Sequence, residues 1–296
     1  MNYKKILHIS YIFIFIYFML NVVLYLKLGQ YKKYYLNMDN LYGQSLNYIS
    51  RNFIGKDYFT EKENSILVEP PIFDVNNFNC VTFVEIVLGF CISNNFNELD
   101  ENLKRIKYKN GNIDFLSRNH FITTDWIPNN YLLLKDITKN ITKDYKTKIV
   151  KIDKKSWIIK NFKEYYDFLK LNNQLQKLDD FKVIEQKIDY IPTDIIINDE
   201  NFVKSVPDEA IIFIVKDLEN MKDKIGTELD VTHAGFLFKE RNKFYRYFNN
   251  LNEYNLIFRH ASSAKNKIVN IDFKKYIKNS KKVQGIIILT LNKNYE

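Results

Sequence analysis

Two cysteines and four histidines are the thiols and imidazoles of this chain of 296 residues, and their placement is uneven. Cys80 follows Asn79 at the head of the apolar run Cys80-Val81-Thr82-Phe83-Val84-Glu85-Ile86-Val87-Leu88-Gly89-Phe90-Cys91. The Asn-rich cluster before it predicts a helix capped near Asn77 or Asn79. Backbone N–H groups of a first helical turn lack intrahelical partners, and the dipole is positive there, so a thiolate at Cys80 would be stabilised. Cys91, at the far end of the apolar run, reads as a small core residue. On a helix the two sulfurs stand roughly 16 Å apart along the axis, beyond the Cα limit of about 7 Å for a bridge.

His233 opens the β-prone stretch Thr232-His233-Ala234-Gly235-Phe236-Leu237-Phe238, and His260 sits in Phe258-Arg259-His260-Ala261-Ser262-Ser263. Taken singly, each imidazole reads as a satisfied core or surface residue. Taken with Cys80, they supply what acyl transfer by cysteine requires: a helix-borne thiol, a strand-borne base and a polar group to orient that base. His120, Asp125 and Trp126 lie in an aromatic, loop-like stretch ending at Pro128. An Asp beside a Trp could bind a peptide's amine and stack on its backbone, or could cap a turn. Arg118 and Arg259 could fork onto substrate carboxylates or serve as surface charge.

The elements that must position these groups suggest an α+β pattern. A helix apolar nearly all round, starting near Cys80, should be buried. Residues 95–205 are charged and Lys- and Asp-rich, and read as a large helical or irregular insertion. After Pro207 come strand-like runs at Ala210–Val215, Thr232–Phe238, Phe244–Phe248, Leu256–Ser262 and Gln284–Leu291. Their short linkers favour antiparallel pairing over helical crossovers.

Composition removes several classes. At 16% aromatic the chain is not a disordered tail. Eight glycines leave little room for phosphate-cradling loops, and neither GxxxxGK[ST] nor GxGxxG occurs. No HExxH and no CxxC is present, so no metal site and no cofactor is expected. The net charge is +9, but the first 33 residues carry five lysines and no acid, which leaves 39 basic against 35 acidic residues beyond them. With no run of Arg interleaved with aromatics, nucleic acid is not expected as a partner.

Residues 1–33 read as a signal anchor or signal peptide. Ile6 to Leu26 carries no formal charge, long enough to span a bilayer and longer than the usual apolar core of a cleaved signal, with no A-x-A-like site after it. Both readings export the remainder of the chain, placing it in the cell envelope on the periplasmic or extracytoplasmic side, anchored to the cytoplasmic membrane through residues 6–26 or secreted. Residues 34–69, with some helical periodicity, form an N-terminal helical extension.

Three segments carry a resemblance to a known family. Asn79-Cys80-Val81-Thr82-Phe83-Val84-Glu85, Thr232-His233-Ala234-Gly235-Phe236 and Arg259-His260-Ala261-Ser262-Ser263 resemble the core motifs of the NlpC/P60-like cysteine peptidase superfamily. More narrowly they resemble its DUF1460 branch, N-acetylmuramoyl-L-alanine-amidase-like, as do Phe121-Ile122-Thr123-Thr124-Asp125-Trp126-Ile127 and Leu229-Asp230-Val231-Thr232-His233. The similarity spans about residues 70–292. Two features depart from it: the 27 residues between the two histidines exceed the spacing in compact members, and Pro207-Asp208 stands where Gly-Asp is usual.

The resemblance implies a papain-like core over residues 70–296, a buried Cys-bearing helix packed on an antiparallel sheet. It implies Cys80 as nucleophile, His233 as base and His260 as the orienting group; Asp125, Trp126 and Arg259 remain substrate-binding candidates on their residue chemistry alone. The expected activity is hydrolysis of an amide bond in cell-wall peptidoglycan or its muropeptide fragments, by an amidase or a murein endopeptidase. A papain-like acyltransferase or deamidase, and a catalytically inactive wall-binding module, are the alternatives.

Overall fold

A computed structural model describes residues 36–59, 69, 72–218, 220–241 and 254–292. The apolar segment Ile6–Leu26 and the expected strand Phe244–Phe248 lie outside the described residues. Among the described residues no helix is long and apolar enough to cross a membrane.

The architecture is mixed α+β, built on one large sheet. Its strands are β1 (Asp57–Tyr58), β2 (Asn77–Phe78), β3 (Leu134–Asp136), β4 (Lys146–Ile152), β5 (Ile184–Pro192), β6 (Glu209–Lys216), β7 (His233–Arg241), β8 (Tyr254–Ser262), β9 (Lys267–Asp272) and β10 (Val283–Leu291). They run in the order β2-β1-β9-β8-β7-β6-β10-β5-β4, with β3 also on β10. The short β1–β2 pair is parallel, and the other described pairings are antiparallel. The Ala210–Val215 run is buried throughout, as a central strand covered on both faces requires.

Side chains alternate across the sheet with period two and so divide between two cores. Phe213, Ala234, Phe236 and Ala261 face the helix Cys80–Cys91, where Phe83, Val84 and Val87 meet them. The Phe83 and Phe236 rings pack edge to face at 5.4 Å. Ile212, Ile214, Leu237 and Phe258 face the other way, under Phe202 and under Phe273 and Ile277 of the helix Phe273–Asn279. In the Cys80–Cys91 helix every residue from Phe83 to Phe90 is buried, as its apolar composition on all sides demands. The N-terminal segment is not a loose appendage: Leu41, Leu46, Ile49 and Phe53 join the same core.

Residues 95–205 differ from the expected insertion. Part is helical, at Phe96–Lys107, Lys154–Asn161 and Lys163–Leu171, and Phe115, Ile158, Tyr165, Leu169 and Leu178 close a satellite core there. The segment also supplies β3, β4 and β5 to the main sheet, with β5 pairing directly to β10. The physical reason it escapes a sequence reading is the composition of β4. Lys146, Lys148 and Lys151 occupy exposed or half-buried positions of a strand near the sheet's end, and only Val150 and Ile152 are buried.

Candidate active site

Cys80 occupies the first helical position, capped as its neighbours dictate. The Asn79 side-chain oxygen accepts from the N–H groups of Val81 and Thr82 at 2.9 and 2.8 Å. Thr82 Oγ1 accepts in return from Asn79 N–H at 2.9 Å, so the first turn is held by a reciprocal pair. Burial pushes the Cys80 thiol pKa up. Against it, the backbone N–H of Ala234 and those of Cys80 and Val81 favour the thiolate, while Glu85 opposes it. The bond from Ala234, the residue after His233, puts Sγ at the opening end of β7.

His233 and His260 come together directly. Nε2 of His233 lies 2.7 Å from Nδ1 of His260, with the rings edge to face at 4.8 Å. Gly235 makes this approach possible. A Cβ there would stand 2.7 Å from the Arg259 carbonyl oxygen and 2.9 Å from the Cβ of His260, too close for any other residue. The His260 ring stacks on Phe258 at 4.5 Å, and Tyr276 borders both imidazoles. In this aromatic setting burial lowers the His233 pKa to about 3, aided by His260 and Lys216, and lowers that of His260 to about 4. Both rings are therefore neutral at neutral pH.

The remaining sequence candidates have structural partners. Trp126 has no exposed surface; its indole N–H donates to Glu85 Oε1 at 3.1 Å and its ring packs on Phe213. Arg259 is also fully buried. It donates to Asn270 Oδ1, to the carbonyl and side-chain oxygens of Asn47 and to Ser50 Oγ, and lies over the Phe238 ring, which fastens the Leu46–Arg51 helix to β8. Neither side chain presents a surface to a ligand. Asp125 accepts from the N–H groups of His120 and Phe121 and from Lys154 Nζ at 3.0 Å, in a π-helical turn, Ile122–Trp126, where a loop was expected. His120 is packed between Phe115 and Trp157, its Nε2 on the Phe115 carbonyl, and Arg118 is paired with Glu69. Cys91 is a free thiol like Cys80, its pKa pushed up to about 11 by burial and then by Glu209.

Four site neighbours were not singled out from sequence. Tyr58 and Tyr276 both have raised pKa values, chiefly through burial, with the Cys80 charge contributing; nothing local marks either. Asp230 and Thr123 lie in segments whose pattern was visible, but their pairing joins residues 107 positions apart. A cavity of about 600 Å³ opens beside Asp125, between Leu116, Arg118, Lys154 and Phe181, and none of Cys80, His233 and His260 lines it. Among the described residues no group of three or more His, Cys, Asp or Glu side chains could hold a metal ion.

With this geometry in place, the comparison with protein families is direct. The model described as AmiA-like, N-acetylmuramoyl-L-alanine amidase-like, matches residues 48–286, a span that includes Cys80, His233 and His260. The chain belongs to this family. No curated protein matches. Among solved structures, protein LPG0564 from Legionella pneumophila, labelled DUF1460, is 26% identical with a TM-score of 0.71, covering 83% of this chain and 87% of that one. An N-acetylmuramoyl-L-alanine amidase from Bacteroides uniformis shares the fold at 22% identity and a TM-score of 0.59, covering 85% and 99% of the two chains. A protein from Bacteroides fragilis described as a putative xylanase does so at 24% identity and 0.59, covering 81% and 98%. The family supports an amidase-like role on the cell wall, and the AmiA-like member described here carries a thiol, two joined imidazoles and a capped helix start at one end of its sheet.

Proposed function

We propose that this AmiA-like protein is a cysteine hydrolase of the NlpC/P60, papain-like type that cleaves an amide bond in peptidoglycan. The observation that carries the reading is the 2.7 Å contact between His233 Nε2 and His260 Nδ1, beside a thiol that receives the N–H of Ala234. A bond between neutral imidazoles uses one N–H and one lone pair. With His233 Nε2 donating to His260, Nδ1 of His233 retains its lone pair and serves as the base. The Ala261 carbonyl favours an N–H on the His260 ring, which supports His260 as the orienting partner.

In this mechanism Sγ of Cys80 attacks the amide carbonyl carbon as His233 Nδ1 takes the thiol proton. The N–H of Cys80 at the helix start steadies the oxyanion. The proton passes to the leaving amine as the C–N bond breaks, leaving a thioester. Water, deprotonated by His233, then hydrolyses the thioester and frees the thiol. Both groups start neutral, so proton transfer accompanies attack. Export by the Ile6–Leu26 segment, as a signal anchor or signal peptide, would bring the domain to its substrate.

Digestion of purified peptidoglycan, with the fragments identified by mass, tests this reading. Release of stem peptides with a free L-alanine amine is the expected product of an amidase, and cleavage between stem residues that of an endopeptidase. Glycan cleavage alone, or release undiminished in Cys80→Ala, refutes the proposal.

A further inference from the structure

Two buried carboxylates take no part in that chemistry, and both bond to one short turn. Thr123 donates twice to Asp230 Oδ2, through its N–H at 2.6 Å and its Oγ1 at 2.7 Å. Val231 N–H donates to the other Asp230 oxygen at 2.8 Å. Asp230 is 1% exposed and stands three residues before His233. At the other end of the turn Trp126 Nε1–H donates to Glu85, which is 4% exposed and lies on the Cys80-bearing helix. The Trp126 ring rests on Phe213, whose cross-strand partner is Ala234, the residue whose N–H reaches Cys80.

We propose that the π-turn Ile122–Trp126 is a strut that fixes the reach between Cys80 and His233, with Thr123 and Trp126 as its positioning residues. This rests on the cysteine–histidine reading of the site. The physical case is one of directionality. An apolar plug would fill the same space and allow the helix to slide on the sheet. Hydrogen bonds to buried carboxylates are lost on a small displacement, and an unsatisfied buried carboxylate is costly, so the two elements are locked in register. The turn itself is wide but held: Trp126 N–H bonds to the Phe121 carbonyl at 2.9 Å, and Asp125 ties it to the N–H groups of His120 and Phe121. π-Helical turns are rare, occur mostly as single turns and are frequent at functional sites. Here the extra residue brings Thr123 and Trp126 to bear on two different elements at once.

The strut can be tested without knowing the substrate, by the rate at which iodoacetamide modifies Cys80 across pH in a Cys91→Ser background. His233→Ala should lower that rate about tenfold at neutral pH and move its profile towards that of an unassisted thiol. Thr123→Val, which keeps the shape but removes the Oγ1 donor, should do the same, since a misplacement of about 1 Å costs as much as a hundredfold. Thr123→Ser restores the donor and should stay within threefold of the parent. Ile158→Val, which thins the satellite core, controls for general loosening and should leave the profile unchanged. On peptidoglycan Thr123→Val should lower kcat with KM within twofold. If His233→Ala slows alkylation while Thr123→Val does not, the strut is refuted and the cysteine–histidine reading stands. If His233→Ala itself has no effect, that reading fails and the strut fails with it.

Discussion

The two ends of the helix Cys80–Cys91 carry the same side chain in opposite surroundings. At Cys80 three backbone N–H groups favour the thiolate, and the helix dipole has its positive end there. At Cys91 burial and the charge of Glu209 favour the thiol, and the last turn is closed by polar groups. Ser93 Oγ donates to the Gly89 carbonyl at 2.7 Å and Asn102 to that of Ile92. Burial raises both thiols; what separates them is which backbone groups remain to meet a negative charge. A cysteine's chemistry is thus a property of its position on the helix and of what the sheet brings to it.

The contrast breaks most sharply if either thiol serves equally well. Cys80→Ala should lower hydrolysis of peptidoglycan by about 10⁴-fold, and Cys91→Ala should leave it within twofold; comparable losses in two folded variants would remove Cys80 as nucleophile. Next in size are the imidazoles. His233→Gln should cost about as much as losing Cys80, because an amide takes no proton at neutral pH. His260→Ala should lower kcat by about tenfold to a hundredfold with little change in KM, and His260→Asn should recover part of it. Steady-state kinetics of the three variants would show whether the second ring orients the first.

A glycine at each end sharpens the comparison further. Gly235→Ala would force β7 and β8 apart at the Arg259 backbone and at His260, so activity should fall about tenfold or more while the protein stays folded. At the other end the atoms nearest a Cβ on Gly89 belong to the Leu99 and Leu103 side chains, the nearest 2.8 Å away. Gly89→Ala should therefore cost about 1–3 kcal/mol of stability and leave kcat unchanged, as thermal melts alongside assays would reveal.

The smallest effect is on pH. Burial holds His233 at about 3 and His260 at about 4, against about 6.5 in an unfolded chain. Above pH 6.5 both states are neutral and the pair's contribution is fully present. As pH falls from 6.5 through 4 towards 3, the unfolded chain binds protons that the folded site excludes, and stability is lost. The melting temperature should decline over that window, and less steeply in His233→Gln.

Much of the site could be read locally. Asn79 ahead of an apolar run marks a helix start, because a side-chain oxygen there satisfies N–H groups that nothing else reaches. The strands around His233 and His260 are legible from β-branched and aromatic residues with short linkers. β9 and the helix Phe273–Asn279 escaped notice because their charged and apolar residues alternate over too few positions to define a period. β4 was hidden by its lysines. Trp126 and Arg259 look available as ligand-binding groups in a string of letters, since charge and aromaticity say nothing about burial, whereas Asp125 keeps a face on the cavity beside Lys154. The partners of Asp125, Trp126 and Arg259 are Lys154, Glu85 and Asn270, which lie 29, 41 and 11 residues away.

The sequence alone determined the local conformations: a capped helix with its cysteine in the first turn, and apolar strands with a histidine on each of two. Those follow from hydrogen-bond deficits, side-chain volume and periodicity within a few residues. Only the tertiary structure decided that His233 meets His260 through Nε2 and Nδ1, that Ala234 turns its N–H to the thiol, and that Thr123 and Trp126 bond to carboxylates on two different elements. Those contacts join residues far apart in the chain, and their geometry exists only once the sheet has packed against its helices.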